Sequence, residues 1–201
     1  MVDMARPVVH TSDLRAELLL VTAVLVDRGG PDKVTVRDVA AAAGTSTTAV
    51  YSLFGGKSGL LNAVVDDGFR SFGDSQKTAL KGGLRGLGAA YRDWARSHPA
   101  LYRLMFGGAL ASLTECQPSP DEPMDAMGPL KTAVAEAQQG GDASQAQVDV
   151  VAAAIWGQVH GLVSLELAQM GPPGVDWDAA YDVALDAISR CWDISAARPI
   201  E

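Results

Sequence analysis

Gly56-Lys57-Ser58 closes like a phosphate-binding loop, in which backbone N–H groups and the lysine cradle a polyphosphate. That loop needs a glycine five residues ahead of the Gly-Lys pair, and Tyr51 stands there instead. The segment also follows a helical pattern rather than a strand, so a nucleotide site is not expected. The three histidines, His10, His98 and His160, are scattered, and neither Cys116 nor Cys191 has a ligand partner two to four residues away. A metal site is therefore not expected. No serine or cysteine sits in a nucleophile elbow, and the adjacent Asp66 and Asp67 point to different helix faces. The chain carries no catalytic constellation and no cofactor motif, which argues against an enzyme.

What remains is a chemistry of recognition. Residues 35–61 read TVRDVAAAAGTSTTAVYSLFGGKSGLL. Thr35 and Asp38 form a variant of the capping box, which starts one short helix, and Gly44 stops it. Ser46 caps a second helix that carries Val50, Leu53 and Phe54 on one side. Two short helices with about three residues between them have the spacing of a helix-turn-helix. The second begins with small polar residues that reach base edges, its N-terminus offers free N–H groups to a phosphate, and Lys57 adds a cation just beyond its end. The same pattern also suits two packed helices in any α-domain, and periodicity alone does not choose between these readings.

The elements that must hold this segment are helical throughout. Leu14, Leu18, Val21 and Leu25 form a stripe on a first helix, Thr11 to Arg28, stopped by Gly29-Gly30-Pro31. A helix from about Lys57 to Phe72 follows the short pair. The glycines between Asp74 and Gly88 weaken the pattern; it returns at Ala89 to Ser97 and again from Pro99 to Phe106. Gln117 to Pro129, with four prolines, reads as a loop. Two long helices close the chain, from about Gln145 to Met170 and from about Asp176 to Ile194, the last striped by Trp177, Tyr181, Leu185, Ile188 and Trp192. No segment alternates with period two between hairpin turns, so the fold class is all-α.

The chain has 201 residues, 48% hydrophobic and 20% charged, enough to fill a core. Its net charge of −8 looks wrong for a nucleic-acid binder until divided by position. Residues 1–62 hold six basic and six acidic side chains, and residues 63–201 hold ten and eighteen. All the excess acid lies in the second part, which leaves room for a DNA-binding head of modest affinity. The longest apolar run, Leu18 to Val26, is too short for a membrane span, which takes about 20 residues. With two cysteines and no signal-peptide pattern, the sequence reads as cytoplasmic.

Residues 35–61 resemble the DNA-binding motif of the TetR (tetracycline-repressor-like) transcriptional regulators, T-V-R-D-V-A-x-x-A-G-x-S-x-x-A-V-Y-x-x-F-x-x-K-x-x-L-L. Leu53 departs from that pattern, where the family has His or Tyr, and Thr47 and Ser58 replace frequently charged residues. The second part resembles the subfamily named for a Trp, His and Gly cluster, through residues 95–106 and Trp156-Gly-Gln-Val-His160-Gly161. The resemblance implies a helix-turn-helix domain over residues 1–62 and an effector-binding and dimerisation domain over 63–201. With it goes the reading of a homodimeric, ligand-responsive repressor; two-fold symmetry calls for palindromic double-stranded operator DNA, and the apolar residues and surplus acid of the second part for a small hydrophobic or aromatic effector. The alternatives are a regulator with no small-molecule ligand, and a helical enzyme or binding module that shares the pattern.

On this reading Ser46 and Lys57 hold phosphates, Tyr51 reaches the backbone, and Thr47, Thr48 and Ala49 enter the major groove. Thr35 and Arg37 anchor the preceding helix. Trp94, Tyr102, Met105, Phe106, Trp156, Gln158 and His160 are the candidate effector contacts, although Trp156 and His160, one turn apart, equally suit core packing. The last two helices form the dimer contact.

Overall fold

The computed structural model describes residues 11–108, 116–138 and 144–192. Every regular element among them is helical: α1 (Thr11–Gly29), α2 (Val36–Ala42), α3 (Thr47–Phe54), α4 (Lys57–Ala79), α5 (Gly83–Ser97), α6 (Pro99–Phe106), α7 (Asp121–Ala126), α8 (Gly128–Ala137), α9 (Gln145–Leu167) and α10 (Trp177–Trp192). A one-turn 3-10 segment, Leu80–Gly82, separates α4 from α5. The all-α fold class is therefore observed. His10 and the expected end of the last helix at 193–194 lie outside the described residues.

The chain divides into two compact units, Met1–Gly68 with Ala100–Ser119 and Phe69–Pro99 with Pro120–Glu201. In the first unit Leu18 of α1, Val39 of α2, Val50 of α3 and Leu60, Leu61 and Val64 of α4 are all but sealed from solvent. The unit holding α1–α3 also takes in residues 100–119, which the sequence reading allots to the second domain. One tie within this unit is an ion pair that no local pattern reveals. Arg103 of α6 donates from Nε and Nη2 to the two carboxylate oxygens of Asp27 in α1, at 2.6 and 2.7 Å. That fork holds the Asp27 carboxyl below its usual value, through the hydrogen bond first and the charge of Arg103 second. In the second unit the core runs through Tyr91 and Trp94 of α5, Val134 of α8, Ile155 and Val163 of α9, and Leu185 and Ile188 of α10.

Three local expectations are corrected. The core face of α1 is Leu18, Leu19, Thr22, Ala23 and Val26, whereas Leu14, Val21 and Leu25 are only half-buried. The stretch from Leu18 to Val26 is apolar all round apart from Thr22, so periodicity could not select a face. Thr22 is tolerated in the core because its hydroxyl donates to the Leu18 carbonyl at 2.6 Å. The proline-rich stretch from Gln117 holds the helix α7 and the start of α8. Its prolines fall before or in the first turns of these helices, where a missing N–H costs nothing. On the striped last helix a free thiol is expected to be buried, yet Cys191 is exposed.

Candidate nucleic-acid interface

The turn between α2 and α3 is built from backbone geometry. Thr35 and Asp38 make the capping box in full: the Asp38 N–H donates to Thr35 Oγ1 at 3.2 Å, and the Thr35 N–H donates to Asp38 Oδ2 at 3.2 Å. At the other end of α2 the Thr45 N–H reaches the Ala40 carbonyl at 2.8 Å and the Gly44 N–H reaches Ala41 at 3.2 Å. This is a Schellman closure, and it places Gly44 at φ 63°, a conformation that favours glycine. Ser46 then caps α3, its Oγ accepting from the Ala49 N–H at 3.2 Å.

The N–H groups of Thr47 and Thr48 have no acceptor within the helix and lie beside the Ser46 hydroxyl, which still has its proton to donate. With Val50 sealed and Leu53 and Phe54 half-buried, the helical period turns Thr47, Thr48, Tyr51 and Ser52 outward. Tyr51 is 57% exposed, far more than an aromatic ring needs to be in a packed helix pair. Ala49 is half-buried at the edge of that face, and Thr35 and Arg37 are exposed beside it on the α2 side.

Two features of this surface are not legible in the motif. Lys57 Nζ donates to the Asp32 carbonyl at 3.0 Å, tying the start of α4 to the loop after α1. Two of its three protons are left for a further acceptor. Gly59 sits so close under the end of α3 that a Cβ there would run into the Phe54 carbonyl oxygen. This contact, backbone against would-be side chain, sets the spacing of α3 and α4. Arg15 of α1 lies 5.5 Å from the Phe54 ring centroid and 3.6 Å from Asp67, which fastens the inner side of α3 to α1 and α4.

The seven residues nominated for an effector are divided between the units. Tyr102, Met105 and Phe106 belong to the first, with Tyr102 buried and its ring 4.9 Å from that of Phe106. Trp94, Trp156, Gln158 and His160 belong to the second. There His160 Nδ1 lies 2.9 Å from the Tyr91 hydroxyl and Nε2 lies 3.4 Å from Ser164 Oγ, and the Trp156 ring is 5.4 Å away. Burial holds the imidazole below its usual value, favouring the neutral ring. Trp94 is buried, 5.3 Å from Phe72, with its N–H donated to Ser71. Gln158 is exposed and donates to the Ala154 carbonyl of its own helix, so it is not brought beside His160.

No motif in the sequence signals the charge cluster behind Tyr91. Arg92 donates from Nε and Nη2 to the Glu166 carboxylate, both at 2.8 Å, and meets Asp178 at 2.7 Å. Its guanidinium lies 4.9 Å from the Tyr181 ring centroid, and the two carboxylates raise its affinity for the proton further. Among the described residues no group of three or more His, Cys, Asp or Glu is placed to hold a metal.

Comparison with known proteins agrees with this geometry. Residues 18–64 match the family described as "Bacterial regulatory proteins, tetR family", and residues 84–188, more than half of the chain, match "Tetracyclin repressor-like, C-terminal domain". Among solved structures, a protein of unknown function from Rhodococcus sp. RHA1 superposes with a TM-score of 0.75 at 24% identity, covering 94% of this chain and 100% of that one. The TetR family transcriptional regulator PfmR from Thermus thermophilus gives 0.63 at 19% identity over 86% and 97%. The fatty acid degradation regulator FadR from Bacillus halodurans gives 0.68 at 14% identity over 87% and 93%. These likenesses are of fold. No functionally curated protein matches the chain.

Proposed function

Because the chain belongs to the TetR family of bacterial regulatory proteins, transcriptional regulators with a DNA-binding domain, we propose that it is a homodimeric cytoplasmic repressor, released from a palindromic operator by a small hydrophobic or aromatic effector. The observation that carries the DNA-binding half is the outward face of α3: Thr47, Thr48 and Tyr51 exposed behind a capped N-terminus, over a core closed by Val50. Ser46 and the amides after it hold one phosphate, the remaining protons of Lys57 a second, and Tyr51 reaches the backbone. Thr35 and Arg37 anchor α2, while Thr47, Thr48 and Ala49 meet base edges.

The effector is received in the second unit, where Trp94, Trp156 and His160 supply aromatic surface and a neutral polar edge. The surplus acid there disfavours an anion and leaves an uncharged, apolar ligand the better fit. The ring contact between Trp156 and His160 supports the finer assignment to the Trp-His-Gly subfamily. Tyr102, Met105 and Phe106 carry the signal, because their helix α6 is fastened to α1 through Arg103 and Asp27. The effector must bind the released arrangement of the heads more tightly than the DNA-bound one. Dimerisation uses α9 and α10, which leave Val150, Leu165 and Val183 exposed. By length and composition α9 could also cross a membrane, a property shared by helices buried in a core or an interface.

The test is an anisotropy titration on the DNA flanking the protein's own gene, with and without hydrophobic candidate effectors. Lys57→Ala should weaken binding about equally on all sequences and lower the salt slope by roughly one. An unchanged slope removes the phosphate assignment. Effectors should release the wild type and not His160→Ala; if none releases it, a regulator without a small-molecule ligand is the better reading.

A further inference from the structure

We propose that the operator half-site is selected through thymine methyl groups read by Thr47, Thr48 and Ala49, and not through bidentate hydrogen bonds to purines; this rests on the DNA-binding reading above. Bidentate readout in the major groove uses Arg or Lys on guanine and Asn or Gln on adenine, while Asp or Glu accepts from cytosine. The recognition helix, Thr47–Phe54, contains none of these six residue types. Among the described residues, the charged side chains that flank it in the motif are engaged elsewhere. The Asp38 carboxylate is engaged in the capping box, where it accepts from both the N–H and the hydroxyl of Thr35. Lys57 Nζ is held at the Asp32 carbonyl, and Arg15 is held at Phe54 and Asp67. Arg37 is exposed, but on α2, the helix that crosses the backbone in this motif.

What the first turn of α3 does present is three methyl groups in three consecutive residues: Cγ2 of Thr47, Cγ2 of Thr48 and Cβ of Ala49. The two threonines are exposed and the alanine is half-buried at their edge. Of the four bases only thymine offers a methyl in the major groove, whereas a hydroxyl pairs with donors and acceptors alike and selects little. Removing one such methyl contact should weaken binding about four-fold, the equivalent of burying one methylene-sized group.

The experiment selects duplexes from a randomised library with the full chain. Each thymine of the selected half-site is then replaced by deoxyuridine, which keeps base pairing and removes only the 5-methyl. Affinity should fall about four-fold at two or three adjacent positions. Thr47→Ser and Thr48→Ser, which keep the hydroxyl and lose the methyl, should each abolish the uracil effect at one position while leaving the others. That cycle separates base contact from a merely structural role of the threonines. Uracil tolerated at every position, or a selected guanine whose 7-deaza replacement costs more than any uracil, overturns the proposal while leaving DNA binding intact. Absence of any enriched sequence overturns the DNA-binding reading and the proposal with it.

Discussion

Arg92 is the most informative residue to perturb in the second unit. Its side chain is 10% exposed and that of its forked partner Glu166 is 13% exposed, whereas Asp178 is 77% exposed. Arg92→Met keeps an unbranched apolar side chain and removes the guanidinium that lies over Tyr181, which strands the Glu166 carboxylate in a dry site. The nearest remaining cation is Arg96, whose Nε lies 3.9 Å from Glu166. Breaking one side of a buried pair costs about 3–5 kcal/mol, and Arg96 can swing in to recover part of that. Asp178→Asn, on the solvent side of the same cluster, should cost only about 0–1 kcal/mol. The double substitution Arg92→Met, Glu166→Met removes both charges and should regain most of the loss, because two apolar side chains leave no carboxylate to desolvate. Urea denaturation at fixed protein concentration measures all three, and concentration must be fixed because assembly shifts apparent stability. For a chain of this size the single substitution should lower the melting temperature by roughly 6–20 °C. A double variant less stable than Arg92→Met, or an Asp178→Asn as costly as Arg92→Met, would refute the reasoning.

Three further outcomes follow from the same geometry. Gly59→Ala should destabilise the chain by about 1–3 kcal/mol, since backbone rather than a mobile side chain stands in the way, and should weaken DNA binding more than its loss of stability accounts for. Equal operator affinity at temperatures where the variant is folded would count against that. Asp27 has its pKa lowered by Arg103, so its contribution is present above the unfolded value of about 3.9 and is lost as pH falls through the folded value. The stability gap between wild type and Asp27→Asn should therefore narrow as the pH is lowered through and below about 3.9 in denaturation experiments, and a constant gap contradicts the pairing. His160 is pushed down by burial, so below about pH 6.5 the unfolded chain binds the proton first and stability falls until the folded value is reached. His160→Gln should flatten that limb below about pH 6.5, and an unaltered slope would place the titration elsewhere.

The helices and their ends were set by residues within four or five positions of one another. Thr35 with Asp38, Thr45 with Ala40, and Ser46 with Ala49 satisfy the otherwise unpaired backbone groups at the ends of α2 and α3, and those partners are close in the chain. The outward face of α3 was legible for the same reason: one buried valine and the helical period assign the other positions. Tertiary structure decided what depends on which helices meet. Arg103 with Asp27 and Arg92 with Glu166 are 76 and 74 residues apart, and nothing local to either partner says the other will arrive. The inner face of α1 was undecided because a helix apolar all round can be rolled until its neighbours select a side. Gly59 read as an ordinary glycine until the Phe54 carbonyl was placed over it. Capping and periodicity are properties of one helix, whereas a forked ion pair or a close backbone approach is a property of two, and only packing brings the second into place.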